Sequence, residues 1–131
     1  MKKLFILLLN LLIITSLLSC KKNIYNDGIF IGKGDNYSYG YDDATISIDE
    51  GKMVDLTLRH FDQSGKEINY EDWTGKEVNG ITNPNLQKYR GDIIQEVLER
   101  QSGEVDIIQE IPEISSNWKL AINRALEKAK K

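Results

Sequence analysis

Between Ala44 and Leu58 the chain alternates with a period that only a pair of pleated strands accommodates. Ala44, Ile46 and Ile48 alternate with Thr45 and Ser47; Val54, Leu56 and Leu58 alternate with Asp55, Thr57 and Arg59. A period of two places one set on a buried face and the other toward solvent. Between the runs, Asp49-Glu50-Gly51 supplies turn chemistry, with glycine where positive φ is needed. The segment reads as an antiparallel hairpin with one covered face.

The flanking sequence predicts the other elements. Residues 27–34, DGIFIGKG, form a strand-like apolar segment between glycines. Residues 62–82 are rich in polar and glycine positions and read as a long loop, with one short strand around Ile68. Asn83 and Pro84 look like an N-cap followed by proline in the first helical position. Leu86, Tyr89, Ile93, Ile94, Val97 and Leu98 then share one helical face. Gly103 is the expected stop, with Arg100 in the last turn. Val105 to Ile108 reads as a strand, followed by a kinked connection through Pro112. Ser115 or Ser116 caps a final helix whose stripe is Trp118, Ala121, Ile122, Ala125, Leu126 and Ala129. An antiparallel sheet with two main helices makes a single small α+β domain.

Side chains able to do chemistry are sparse. His60 is the only histidine, with no cysteine nucleophile or second histidine beside it, and reads as a surface residue. Asp42-Asp43 and Glu71-Asp72 lack the spacing of a calcium loop and read as turns. Gly28, Gly32 and Gly34 precede no helix, so they are not a dinucleotide fingerprint. Tyr70-Glu71-Asp72-Trp73 either lines a ligand cleft or closes over the core.

Two stretches resemble the FMN-binding domain family of small extracytoplasmic flavin carriers. One is residues 27–58, DGIFIGKGDNYSYGYDDATISIDEGKMVDLTL, which is similar to the family's Asp-Gly-aromatic-Gly-x-Gly opening, strand, Gly-Lys turn and second strand. The other is residues 105–126, VDIIQEIPEISSNWKLAINRAL, which is similar to Val-Asp, two apolar residues, a Ser-Gly-Ala-Thr tetrad, a hydroxyl residue and an alanine-rich helix. The resemblance implies the family's fold over residues 27–131 and a part in flavin-based electron transfer with a membrane redox protein. It also implies cofactor-binding positions at Gln109, Glu110, Ile111, Pro112, Ser115 and Trp118.

The tetrad itself is replaced by Gln109-Glu110-Ile111-Pro112. In the family, FMN is esterified to the threonine hydroxyl. Pro112 stands at that position and has no hydroxyl, so covalent attachment there is not expected. Glu110 stands where a glycine would let backbone approach the phosphate. A carboxylate about 4 Å from a phosphate costs on the order of 1 kcal/mol in water, and more where water is excluded. Ser115 in such a place is more often a helix cap than a ligand contact, and Trp118 on the apolar stripe more often core than a flavin-stacking ring. Two functions stay open: a carrier holding FMN non-covalently, and a flavin-free envelope binding or interaction module on the same fold. Neither is a catalyst in its own right.

The N-terminus supplies an address. Lys2 and Lys3 precede an apolar run from Leu4 to Leu18, shorter than the ~20 residues a spanning helix needs. Leu17-Leu18-Ser19-Cys20 resembles the lipobox of bacterial lipoproteins. That resemblance makes residues 1–19 a signal peptide, Cys20 the lipidated first residue of the mature protein, and 20–26 a short tether on the extracytoplasmic face of a membrane. Two acyl chains suffice for stable anchoring. Cys20 is the only cysteine, so it has no intramolecular disulfide partner. Loss of residues 1–19 removes two lysines from 17 basic and 20 acidic side chains, leaving a formal charge of −5. That charge argues against nucleic acid as a partner. Labelled palmitate should therefore enter the protein, and Cys20→Ala should abolish the labelling; equal labelling of the variant would refute the anchor.

Overall fold

The expected hairpin is the centre of the observed sheet. The computed structural model describes residues 22–131, so the lipidation reading at Cys20 lies outside the described residues. Strand β2 (Tyr41–Asp49) pairs antiparallel with β3 (Lys52–Phe61), and β1 (Gly28–Lys33) pairs along the other edge of β2. The strand order is β1-β2-β3. Glu50 and Gly51 form the turn with φ of 48° and 74°, the doubly left-handed geometry that matches the twist of paired strands.

One inward position differs from the expected alternation. Ile48 pairs with Met53 and Ser47 with Asp55, which leaves Val54 as an extra residue in β3. A bulge reverses the alternation on its own strand. Met53 therefore faces the core, and Val54 is 56% exposed.

Helix α1 (Leu86–Arg100) packs against β3, and helix α2 (Pro112–Ala129) lies across β1 and β2. The inward row of the hairpin (Ala44, Ile46, Ile48, Leu56 and Leu58) meets Leu86, Ile93 and Val97 of α1 and the whole expected stripe of α2 in one core. The architecture is α+β, as the patterning implied. The loop contains a 3₁₀ turn at Tyr70–Asp72 and a small exposed hairpin, β4 (Glu77–Val78) with β5 (Ile81–Thr82). Its turn is Asn79-Gly80, with φ of 52° and 79°. The strand expected at Ile68 shrinks to a Phe61–Glu67 bridge beside an Ile68 N–H that donates to the His60 carbonyl.

The helix ends differ from expectation because tertiary bonds choose them. Asn85, not Asn83, caps α1 by accepting from the Lys88 N–H at 2.9 Å, while Asn83 donates to the Asp72 carbonyl. The stop is Gln101 at φ 53°, two residues before Gly103. Its side chain accepts from Met53 N and donates to Met53 O, and these bonds offset the strain of a left-handed non-glycine residue. Helix α2 begins three residues before Ser115, with Pro112 in its first turn, where a missing N–H is harmless. Ser115 is therefore buried inside the helix. Its hydroxyl donates to the Ile111 carbonyl at 2.8 Å and accepts from the Ile108 N–H at 3.0 Å. Val105 to Ile108 forms no strand: Val105 N–H bonds to Gly103 O, and Ile108 is held by Ser115 instead.

The glycines of the opening motif let α2 lie close. A Cβ on Gly32 would overlap the Ala121 carbonyl oxygen and the Ala125 amide nitrogen, both backbone atoms of α2. Backbone cannot move aside as a flexible side chain does. Gly32→Ala should destabilise the fold by about 3 kcal/mol, at the upper end of overpacking effects, read as a lower urea midpoint with an unchanged slope.

A candidate binding cavity beside a buried aspartate–histidine pair

The inward row of the hairpin continues beyond its apolar part. In register, Asp42 faces His60 just as Ala44 faces Leu58. Asp42 is fully buried, and His60 is 4% exposed. The surface and turn readings of these residues are thus corrected: both are strand residues inside the core face. The same period of two reaches them in the sequence (42, 44, 46, 48 and 56, 58, 60), but polar residues at its ends hid the continuation.

A buried carboxylate needs donors, and three segments supply them. His60 Nδ1 lies 2.7 Å from Asp42 Oδ1. Tyr37 Oη and Asn117 Nδ2 donate to Asp42 Oδ2 at 2.8 and 2.7 Å. A carboxylate offers only acceptors here, so Nδ1 carries a proton and donates it to the bond. Asn117, from α2, also brackets the Asp35 backbone, accepting from its N–H and donating to its carbonyl. The backbone N–H of His60 donates to Tyr70 Oη at 2.8 Å.

His60 also borders a cavity of about 530 Å³. Ile68, Trp73, Pro84, Ile111, Pro112 and Ile114 form its apolar wall. Its polar lining is Tyr39, His60, Asp62, Asn83, Glu110 and Glu113. Among the described residues no lysine or arginine lines it. The Ser64 hydroxyl and nearby backbone N–H groups donate to Asp62 and hold its carboxyl below its usual range. Among the described residues no three His, Cys, Asp or Glu side chains converge as a metal site.

The cavity gathers part of the flavin segment. Glu110, Ile111 and Pro112 line it, whereas Gln109 is exposed and does not. Ser115 is buried, with its hydroxyl committed to Ile111 and Ile108. Trp118 is fully buried, and its indole N–H donates to the Arg59 carbonyl at 3.2 Å. These residues do not fit the phosphate of FMN. The helix N-terminus at the cavity begins with a proline that has neither hydroxyl nor N–H, and two glutamates flank it. His60, Tyr39 and Trp73 are site residues the sequence reading did not group. Only the register of β2 on β3 and the fold of the long loop bring them together.

No protein-family profile matches this chain, and no curated protein matches it in sequence. Solved structures do share its fold. The crystal structure of the CPE2226 protein from Clostridium perfringens is 22% identical, with a TM-score of 0.62 over 81% of this chain and 89% of that one. A solution structure from Clostridium thermocellum is 16% identical, with a TM-score of 0.54 over 81% of this chain and 93% of that one. At these identities the likeness establishes the architecture.

The two tyrosines of the network link the site to stability at high pH. Burial, first of all, pushes the Tyr70 phenol up to about 12. Burial and the charge of Asp42 raise Tyr37 further still. Unfolded tyrosines ionise near 10. Between pH 10 and about 12 the unfolded chain has released protons that the folded chain still holds, so stability falls as pH rises. The urea midpoint should drop across this window, and Tyr70→Phe should make the drop shallower; an unchanged slope in the variant would show that Tyr70 is not held neutral.

Proposed function

We propose that this chain is a lipid-anchored extracytoplasmic binding module, built on an FMN-binding-like scaffold and working without flavin. One observation carries the reading. Glu110, Ile111 and Pro112, three of the four residues at the positions that resemble the flavin-attachment tetrad, line a half-enclosed cavity, and every charged or titratable group there besides His60 and Tyr39 is a carboxylate. Such a lining repels the phosphate on which FMN binding in the resembling family depends. An apolar wall with a few convergent polar groups is instead the usual form of a small-molecule site.

The position of the cavity suits a tethered module. Helix α2 runs 18 residues, about 27 Å at 1.5 Å per residue. The cavity lies at its N-terminal end. Asn26 N–H donates to the Ala129 carbonyl at its C-terminal end, and Tyr25 bridges Lys130 there. A chain leading back from Asn26 to an acylated Cys20 would leave the domain at the end opposite the cavity. The binding site would then face away from the bilayer and toward the extracytoplasmic space.

A colour test decides between this reading and a non-covalent flavin carrier. The purified lipoprotein in mild detergent is mixed with FMN and desalted. The module should emerge colourless, without saturable quenching of flavin emission, and its intact mass should show no FMN adduct. Retained yellow colour with quenched emission would overturn the proposal in favour of the carrier.

A further inference from the structure

We infer that the cavity takes an organic cation, a primary ammonium on an apolar or aromatic body, and that His60 Nε2 accepts a hydrogen bond from it. The inference rests on the binding-module reading and names its ligand class. Three independent features converge on it.

The first is the state of the imidazole. His60 is more than nine-tenths buried, and its Nδ1 donates to Asp42 Oδ1 at 2.7 Å. Nε2 has no hydrogen-bond partner among the described residues, while the residue borders the cavity. In the neutral ring, with Nδ1 donating to the carboxylate, Nε2 presents a lone pair. A polar atom so placed is satisfied by a donor, and an ammonium offers only donors. The second is charge. Asp62, Glu110 and Glu113 ring the space with no basic residue among the lining, so the local field favours a cation. The third is shape and surface. Ile68, Ile111 and Ile114 give the wall an apolar surface for a hydrocarbon body, and Tyr39 and Trp73 add aromatic rings, the groups that attract cations, to the lining.

Anionic and neutral ligands of the same outline satisfy these features less well. An anion meets three carboxylates and a lone pair. A neutral alcohol can donate to Nε2 but gains nothing from the acidic lining. Phenethylamine, phenethyl alcohol and phenylacetate therefore form a matched set of probes: one ring, and a cation, a neutral donor and an anion. The amine is protonated at neutral pH, as a lysine side chain is.

Because His60 is the only histidine, nitrogen NMR of the full chain in detergent, labelled at histidine, reports this site alone. The free protein should show a protonated Nδ1 and a bare Nε2. Phenethylamine should shift Nε2 saturably and bind about tenfold tighter than phenethyl alcohol, as for a hydrogen bond to a charged group, with phenylacetate weakest. The rim variant carrying Glu110→Gln and Glu113→Gln should lose roughly two- to tenfold in amine affinity. Its affinity for the alcohol and its free-state histidine signals should stay unchanged, the latter showing that the fold and the Asp42 pair are intact. A proton on Nε2 in the free protein, no saturable shift with the amine, or an alcohol that binds as tightly as the amine would overturn the inference. Those outcomes, with FMN still unbound, reject the cation alone; FMN retention rejects the module reading beneath it.

Discussion

The buried carboxylate of Asp42 is the constraint on which the functional end of this molecule depends. Removing a charge from water is costly unless donors replace the lost hydration. Here the donors come from three places distant in sequence: Tyr37 before β2, His60 at the end of β3, and Asn117 on α2. Satisfying one carboxylate therefore fixes a loop, a strand end and a helix relative to one another. It also holds the His60 ring at the border of the cavity. A polar network of this kind is valuable only when its members are satisfied, and the second bonds of Asn117, to Asp35, satisfy its amide.

Close packing does the corresponding work at the sheet. Gly32 lets the α2 backbone lie on β1, and Gly34 leaves room for the Asn117 side chain. The glycines of the opening motif thus have a structural use. They set the height of α2 above the sheet, and with it the place of Pro112 and Glu113 at the cavity. Ser115 likewise serves the scaffold, tying the segment before α2 to the helix through Ile108 and Ile111.

The chemistry of the cavity follows from the residues at the head of α2. Proline there leaves the helix intact, because a first-turn N–H has no helical partner. The same proline offers neither a hydroxyl nor an N–H to an anion. Glu110 and Glu113 add negative charge at a helix end that would otherwise attract phosphate. The scaffold and the charge pattern point in different directions, and the proposed module follows the charge pattern.

Periodicity in the sequence determined the hairpin, the stripe of α2 and the α+β class, because burial on one face imposes periods of two and 3.6 whatever the partner. It also determined that residue 112 is a proline without a hydroxyl, which is a matter of composition at one position. The bulge at Val54, the cap at Asn85, the stop at Gln101 and the interior place of Ser115 were decided by tertiary structure. Each depends on a hydrogen bond or pairing to a residue outside its own element, which no local pattern encodes. The same holds for the Asp42–His60 pair, 18 residues apart. The sequence holds both residues in phase with the core, but only the register of β2 on β3 brings them to 2.7 Å. Only the fold of the long loop then sets Trp73 and Asp62 around the ring.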